Sequence, residues 1–531
     1  MRAKYLISSA VCVALLSGCS PQSSGNYPSR TSYDVSADAE VAAAPPSQER
    51  YAANAVSPVH AVADTPVSTF AVDVDTASYS NVRRFLTQGQ TPPGDAVRTE
   101  ELVNYFRYDY PLPGDRGAPF SVTTDVAQTP WNPETRLLRV GLRGYDLNYR
   151  ERPPANLVFL VDVSGSMDEP NKLPLVKSAL SMLADNLRPQ DRVSIVVYAG
   201  AAGLVLPPTA DPRAIKAAVD SLSAGGSTAG GEGIQLAYAT ARMNFRAEGV
   251  NRVILATDGD FNVGITDQKQ LEQLIEKERD DGITLTTLGF GEGNLNDAMM
   301  EAIADKGNGN YAYIDNAMEA RKVLDEEMSS TLFTIAKDVK VQVEFNPAQV
   351  SEYRLIGYEN RALKEQDFNN DHVDAGDIGA GHQVTALYEI VPAGAHGWLG
   401  QRRYQENKRG NPMAFAGSSG ELAFVKLRYK LPNGDASKLI EHPVSGSLLR
   451  DAAPPSGDMA FAVAVAGFAQ KLRGDTMLGD WSYADIRRLA GTQWSFSQQG
   501  YWRQEFLKLV DLAGSQHDAR REGDQEARPL S

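Results

Sequence analysis

Between residues 156 and about 334 the chain alternates short apolar runs with stretches in which apolar positions recur at helical spacing. The runs predict strands at Leu157–Val161, Val193–Tyr198, Arg252–Thr257, Thr284–Gly289 and Tyr311–Ile314. The helical period predicts helices at Lys172–Leu187, Pro212–Ser221, Glu232–Phe245, Lys269–Asp280, Leu295–Asp305 and Ala317–Phe333. Strands that are apolar throughout must be covered on both faces, so residues 151–335 read as an α/β domain: a doubly wound, mostly parallel, Rossmann-like sheet.

The flanks follow other rhythms. Residues 67–150 carry a strand-like Phe70–Asp75, a short helix Tyr79–Leu86 and a second helix Thr99–Tyr108. Strands around Phe120–Ala127 and Leu137–Leu142 complete a small N-terminal α+β module. After Asp338 the pattern turns to strands at Val339–Phe345, Tyr353–Tyr358, Val384–Ile390 and Leu422–Leu431, which predict an antiparallel, β-sandwich-like region. Met459–Ala469 is apolar or small throughout, the length of a buried helix rather than a membrane span. Helices at Tyr483–Ala490 and Tyr501–Ala513 close the region 336–514, and the charged residues 515–531 read as a disordered tail.

The N-terminus is patterned for export. Arg2 and Lys4 precede an apolar run, Tyr5–Leu16, that is too short to span a bilayer comfortably. It ends in Leu16-Ser17-Gly18-Cys19, which resembles the lipobox of bacterial lipoproteins. That resemblance implies a signal peptide over 1–18, cleavage before Cys19, and fatty acyl chains such as palmitate on that residue. Residues 19–66, rich in Ser, Pro, Ala and Gly, read as a flexible tether. Ser20 follows the lipidated position, with no Asp there to resemble an inner-membrane retention signal. The expected location is therefore the cell envelope, lipid-anchored at the outer membrane and facing the periplasm or the surface. Of the two cysteines the other, Cys12, lies inside the signal, so the mature chain has no disulfide to form. A net charge of −15 argues against nucleic acid as a main partner, and six scattered His without H-E-x-x-H or paired-Cys spacing give zinc chemistry no support.

Candidate chemistry collects at three strand ends. Val158-Phe159-Leu160-Val161-Asp162 runs into Val163-Ser164-Gly165-Ser166, delivering oxygen-bearing side chains at alternate positions. Gly225-Gly226-Ser227-Thr228-Ala229-Gly230-Gly231 opens a helical run, and Val253-Ile254-Leu255-Ala256-Thr257 ends on Asp258. In a parallel sheet such loops gather at one edge and can supply oxygens to one hard cation. Here the chain resembles the von Willebrand factor type A domain, whose metal-ion-dependent adhesion site uses Asp-x-Ser-x-Ser, a loop Thr and a later Asp. The resemblance implies a metal site of Asp162, Ser164, Ser166, Thr228 and Asp258, with Mg2+ as cofactor and Mn2+ or Ca2+ as alternatives. Its flanks, including Asp338–Pro347 and Ile378–Tyr388, resemble those of a group of bacterial envelope lipoproteins carrying this domain.

With hydroxyls nearest the metal and the carboxylates behind them, the ion stays electrophilic and can take a carboxylate from a protein partner. The expected role is metal-dependent protein binding or scaffolding, with the membrane reached through the lipid and no catalytic residue. Acids nearby, Asp168, Glu169 and Asp260, would form a rim that repels an acidic partner and weakens its long-range steering. Two rivals are a metal-dependent hydrolase, for which these motifs offer no His or Lys base, and an envelope protein whose metal is purely structural. Asp73-Val74-Asp75 lacks the Thr or Val that a phosphatase of the haloacid dehalogenase type places four residues after its first Asp. Asp371, Asp374 and Asp377 lack EF-hand spacing and read as a solvated turn.

Overall fold

A computed structural model describes residues 48–526 apart from 149–150, 227–229, 260–267, 328–329, 331, 401–419, 435 and 492–497. Cys19, Thr228 and Asp260 lie outside the described residues.

The central sheet has six strands in the order Tyr311–Ile314, Thr284–Phe290, Val250–Thr257, Ala155–Asp162, Arg192–Tyr198, Ala202–Thr209. The first five are parallel, as their apolar runs predict. Ala155–Asp162 is buried at every position because helices cover both faces. Ile234, Ala237, Tyr238 and Ala241 of the helix Gly230–Met243 pack on one side. Leu175, Val176 and Ala179 of Leu173–Asp185 pack on the other. The sixth strand escaped the sequence reading. Ala202–Thr209 pairs antiparallel at the edge, the place that tolerates its Pro207 and Pro208, which bring no N–H to a ladder. The helix predicted over Ala317–Phe333 stops at Arg321 and continues as a π turn, Lys322–Glu326. The buried Lys322 ammonium is held there by Glu327 at 2.8 Å and by the Tyr105 ring, a tertiary demand that helical periodicity does not encode.

Two further sheets are built from both flanks together. One orders His60–Ala61, Val350–Ile356, Gln383–Pro392, Arg136–Gly144 and Phe120–Gln128. The other orders Ala362–Leu363, Val67–Ala71, Thr334–Phe345, Glu421–Lys430 and Ser437–Ser445. Their faces meet in a sandwich: the Phe345 ring lies 4.4 Å from Tyr353 and 5.3 Å from Tyr388, and Phe120 lies 5.1 Å from Tyr429. Strands that precede the central domain in sequence thus pair with strands that follow it.

A helical core sits beside the sandwich. Gly457–Arg473 buries thirteen of its residues in a core shared with Ala77–Thr87, Thr99–Asn104, Tyr483–Ala490 and Gln498–Glu526, with Phe461 and Phe468 each edge-on to Phe506. The last helix corrects the expectation of a disordered tail from 515. It continues to Glu526, and Gln516 donates to the Leu86 carbonyl while His517 meets the Tyr483 ring, contacts that local polarity does not announce. Among the described residues no helix is long and apolar enough to cross a membrane.

Candidate metal centre at the strand ends

Strand register places the acidic end of Ala155–Asp162 between two hydroxyls. Asp162 pairs with Tyr198 on one side, and on the other Val161 pairs with Ala256, so Thr257 follows at the level of Asp162. The Asp162 carboxylate accepts three hydrogen bonds: Oδ1 from the Ser164 N–H at 2.9 Å, and Oδ2 from the Tyr198 and Thr257 hydroxyls at 3.1 Å each. Burial pushes its pKa up and the charge of Asp258 adds to that, while hydrogen bonds from Ser164 and Tyr198 pull it back. The Ser164 and Ser166 hydroxyls lie 3.2 Å apart, Ser164 buried and Ser166 exposed.

The glycine-dense loop is stitched to this turn through its backbone. Gly165 N–H donates to the Gly226 carbonyl at 3.1 Å, and Gly225 N–H to the Val163 carbonyl at 2.8 Å. Gly226 has φ +92°, and a Cβ there would lie 3.3 Å from the Gly200 nitrogen, so glycine meets both requirements. Thr228 belongs to this loop but outside the described residues; the helix that follows starts at Gly230, two residues before the predicted Glu232.

Asp258, at the end of Val250–Thr257, is fully buried. Burial pushes its pKa up, but hydrogen bonds with Asn294 and Ser166 and the Lys172 ammonium outweigh that and hold the carboxyl below its ordinary value. Lys172 Nζ donates to Asp258 Oδ2 at 3.1 Å and is itself only 3% exposed. Its stem lies against Gly291, where a Cβ would come within 2.3 Å of the lysine Cε. Sequence reasoning found the acids and hydroxyls at this site and missed Lys172, Tyr198, Thr257 and Asn294. A hydroxyl closing the apolar run Val193–Tyr198 was a usable signal; Lys172 at the start of a helix was not.

The donor set fits a hard cation. Among the described residues no three or more His, Cys, Asp or Glu side chains converge as metal ligands, and the described part of this site offers two carboxylates with two hydroxyls. Protein donors occupy Asp162, and the hydroxyls of Ser164 and Ser166, which bond each other and the two acids, are the neutral oxygens at the rim that could turn to an ion. The Lys172–Asp258 pair shows that the pocket already accommodates positive charge.

The other acidic motifs are committed elsewhere. Asp73 and Asp75 flank Arg361 at 3.4 and 3.3 Å, and Asp75 Oδ1 also accepts the Tyr311 N–H. They belong to a buried ionic junction around Arg361. Asp371 is bound by Arg428, Asp374 by Arg279, and Asp377 by the Asp338 N–H, so each carboxylate already has a protein donor.

Comparison with known families places the central region. Residues 156–326 match the von Willebrand factor type A domain, residues 45–139 a von Willebrand factor model, and residues 330–515 the model described as "Uncharacterized protein YfbK, C-terminal". The protein described as "Uncharacterized protein YfbK" of Escherichia coli (strain K12) is 47% identical over 476 residues, covering 88% of this chain and 81% of that one. The chain belongs to the YfbK family of von Willebrand factor type A proteins. A second relative, "Uncharacterized protein sll0103" of Synechocystis, is 34% identical over 187 residues, 35% of this chain and 43% of that protein. Among solved structures, a von Willebrand factor type A protein from Catenulispora acidiphila aligns with 76% of this chain and 91% of its own at 18% identity, with a TM-score of 0.41. The E. coli YfbK match and the family models together span both flanks and the central domain, in keeping with strands from the two flanks sharing sheets.

Proposed function

We propose that this YfbK-family protein is a metal-dependent binding or scaffolding lipoprotein of the bacterial cell envelope. A divalent cation, Mg2+ in the first instance, would be held by Ser164, Ser166 and Thr228, with Asp162 and Asp258 orienting hydroxyls and waters from behind. When bound, it supplies an electrophilic position that a partner's carboxylate can occupy. The observation that carries this reading is the arrangement around the two acids: Asp162 is taken by Ser164, Tyr198 and Thr257, and Asp258 by Ser166 and Lys172, so both serine hydroxyls are held beside the carboxylates, 3.2 Å from each other, and Ser166 is exposed. A ligand set that is neutral at the metal and open outward suits docking better than hydrolysis. Lipid on Cys19, with residues 20–66 as the tether, would hold the protein at the outer membrane.

Two measurements test the reading. Calorimetry with Mn2+ should register one site in the unmodified protein and none in Ser164→Ala plus Ser166→Ala; retained binding in the double variant removes the assignment. An envelope extract passed over immobilised protein should yield a partner in Mg2+ that is lost in EDTA. Capture that is indifferent to the chelator would favour a structural metal instead.

A further inference from the structure

Lys172 is the feature of the site that the metal-binding motif does not explain. Its ammonium is almost wholly buried, yet it lies at the mouth of the central sheet rather than in a structural ion-pair network. Three elements hold it. The backbone N–H of Lys172 donates to the Glu169 carbonyl, Gly291 leaves room for its stem, and the Asp258 carboxylate receives its ammonium. Among the described residues the charged groups facing it are Asp258 at 3.1 Å and Glu169 at 3.9 Å; Glu169 is more than half exposed, so solvent screens it. A buried ammonium pays a large desolvation cost, which a single buried carboxylate partner must offset.

The charge balance gives this lysine a role. With Asp162 and Asp258 ionised and Lys172 protonated, these three buried groups together carry one net negative charge before metal binds. A divalent cation brings it to one net positive charge, and one carboxylate from a partner brings it to neutrality. Without the lysine the same steps run from two negative charges through neutral to one negative charge, so a partner carboxylate would be added to a site with no net attraction for it. Charges in a partly buried pocket interact through an effective dielectric well below that of water, so one unit of charge changes the order of affinities.

We propose that Lys172 is a positioning residue that serves as a resident counter-cation: it holds Asp258 in place without metal, keeps metal affinity modest, and leaves the loaded site positive so that it selects an anionic partner group. This deepens the docking reading above and rests on it. The lysine thus trades metal affinity for partner affinity.

The test uses the full mature chain, with Lys172→Met and Lys172→Arg compared against the unmodified protein and Mn2+ as the probe. Calorimetry should show Mn2+ bound about tenfold or more tighter by Lys172→Met, and within about threefold of the unmodified protein by Lys172→Arg. Water-proton relaxation of the Mn2+-loaded proteins, titrated with acetate, should show displacement of bound water in the unmodified protein and in Lys172→Arg, at acetate concentrations about tenfold lower than in Lys172→Met. A thermal-unfolding scan separates this from a structural role. Lys172→Met should melt below the unmodified protein in EDTA and recover that loss in saturating Mn2+, because the cation takes over the pairing of Asp258. A lysine that only braces the fold would lose stability equally in both conditions. Unchanged or weaker Mn2+ binding by Lys172→Met overturns the proposal. If none of the proteins binds Mn2+, the metal reading fails and this inference fails with it; binding by Lys172→Met alone would overturn the inference, since a site that excludes the cation cannot present it to a partner.

Discussion

Asp162→Ala should loosen the central domain even in EDTA, because the structure makes Asp162 a hub for protein donors before any metal arrives. The substitution strands the Ser164 N–H and the hydroxyls of Tyr198 and Thr257, at 2.9, 3.1 and 3.1 Å from the lost oxygens. Hydrogen bonds to a charged group are worth about 1.5–3 kcal/mol each. Their sum overstates the loss: the hydroxyls can turn to other acceptors, and the carboxylate pays for its own burial, as its raised pKa records. A net cost of about 3–5 kcal/mol remains, the usual range for breaking a buried charged network. Asp162→Asn, which keeps one acceptor and drops the charge, should cost about 1–2 kcal/mol. The five tryptophans, at positions 131, 398, 481, 494 and 502, all lie outside residues 151–335, so their fluorescence reports the flanks. Amide hydrogen exchange resolved to 155–162 and 192–198 is the assay, since it reads local opening free energies. Protection there should fall by the stated amount in Asp162→Ala and stay near the original in Ser164→Ala plus Ser166→Ala. Protection in Asp162→Ala unchanged within about 1 kcal/mol would refute the hub reading and return Asp162 to the metal's immediate ligands.

Thr228→Ala should weaken partner capture by about tenfold while changing Mn2+ affinity by less than about threefold, because Ser164 and Ser166 still hold the ion; equal losses would point to a static site. Glu100 is fully buried beside Glu359 and Asp73, and its pKa is pushed up to about 7 by burial first and by those two charges next. A folded pKa above the unfolded one gives stability that is complete below about pH 4.5 and is lost as the pH rises through about 7. The unmodified protein should therefore melt at lower temperature at pH 8 than at pH 5.5, and Glu100→Gln should flatten that slope; an identical slope in the variant would move the effect to other groups. Arg354→Met should destabilise the sandwich and helical core by about 3–5 kcal/mol, since it leaves Glu389 and Asp475 buried without their cation. Urea unfolding followed by tryptophan fluorescence suits that variant, because Trp131 donates to Glu389 and lies 5.1 Å from Trp481; a loss under about 1 kcal/mol would contradict it.

The sequence by itself determined the strands of the central domain and the acids and serines that gather at its edge. Every predicted strand of that domain is present, because a buried parallel strand is apolar along its whole length and leaves that mark locally. The acids and serines of the site were legible for a related reason: Asp162 and Asp258 each end such a run, and a charge after four or more buried residues marks where the chain leaves the core. Other features needed tertiary structure. Ala202–Thr209 becomes a strand only as the edge partner of Arg192–Tyr198, a place that excuses its two prolines. Val67–Ala71 pairs with Thr334–Phe345, more than two hundred residues away, and no local period announces a partner so distant. Lys172 reads as a surface lysine at a helix start until folding brings Gly291 and Asp258 to it. Local patterning encodes which face of an element is buried, whereas pairing across the chain and the burial of a charge depend on neighbours that sequence distance conceals.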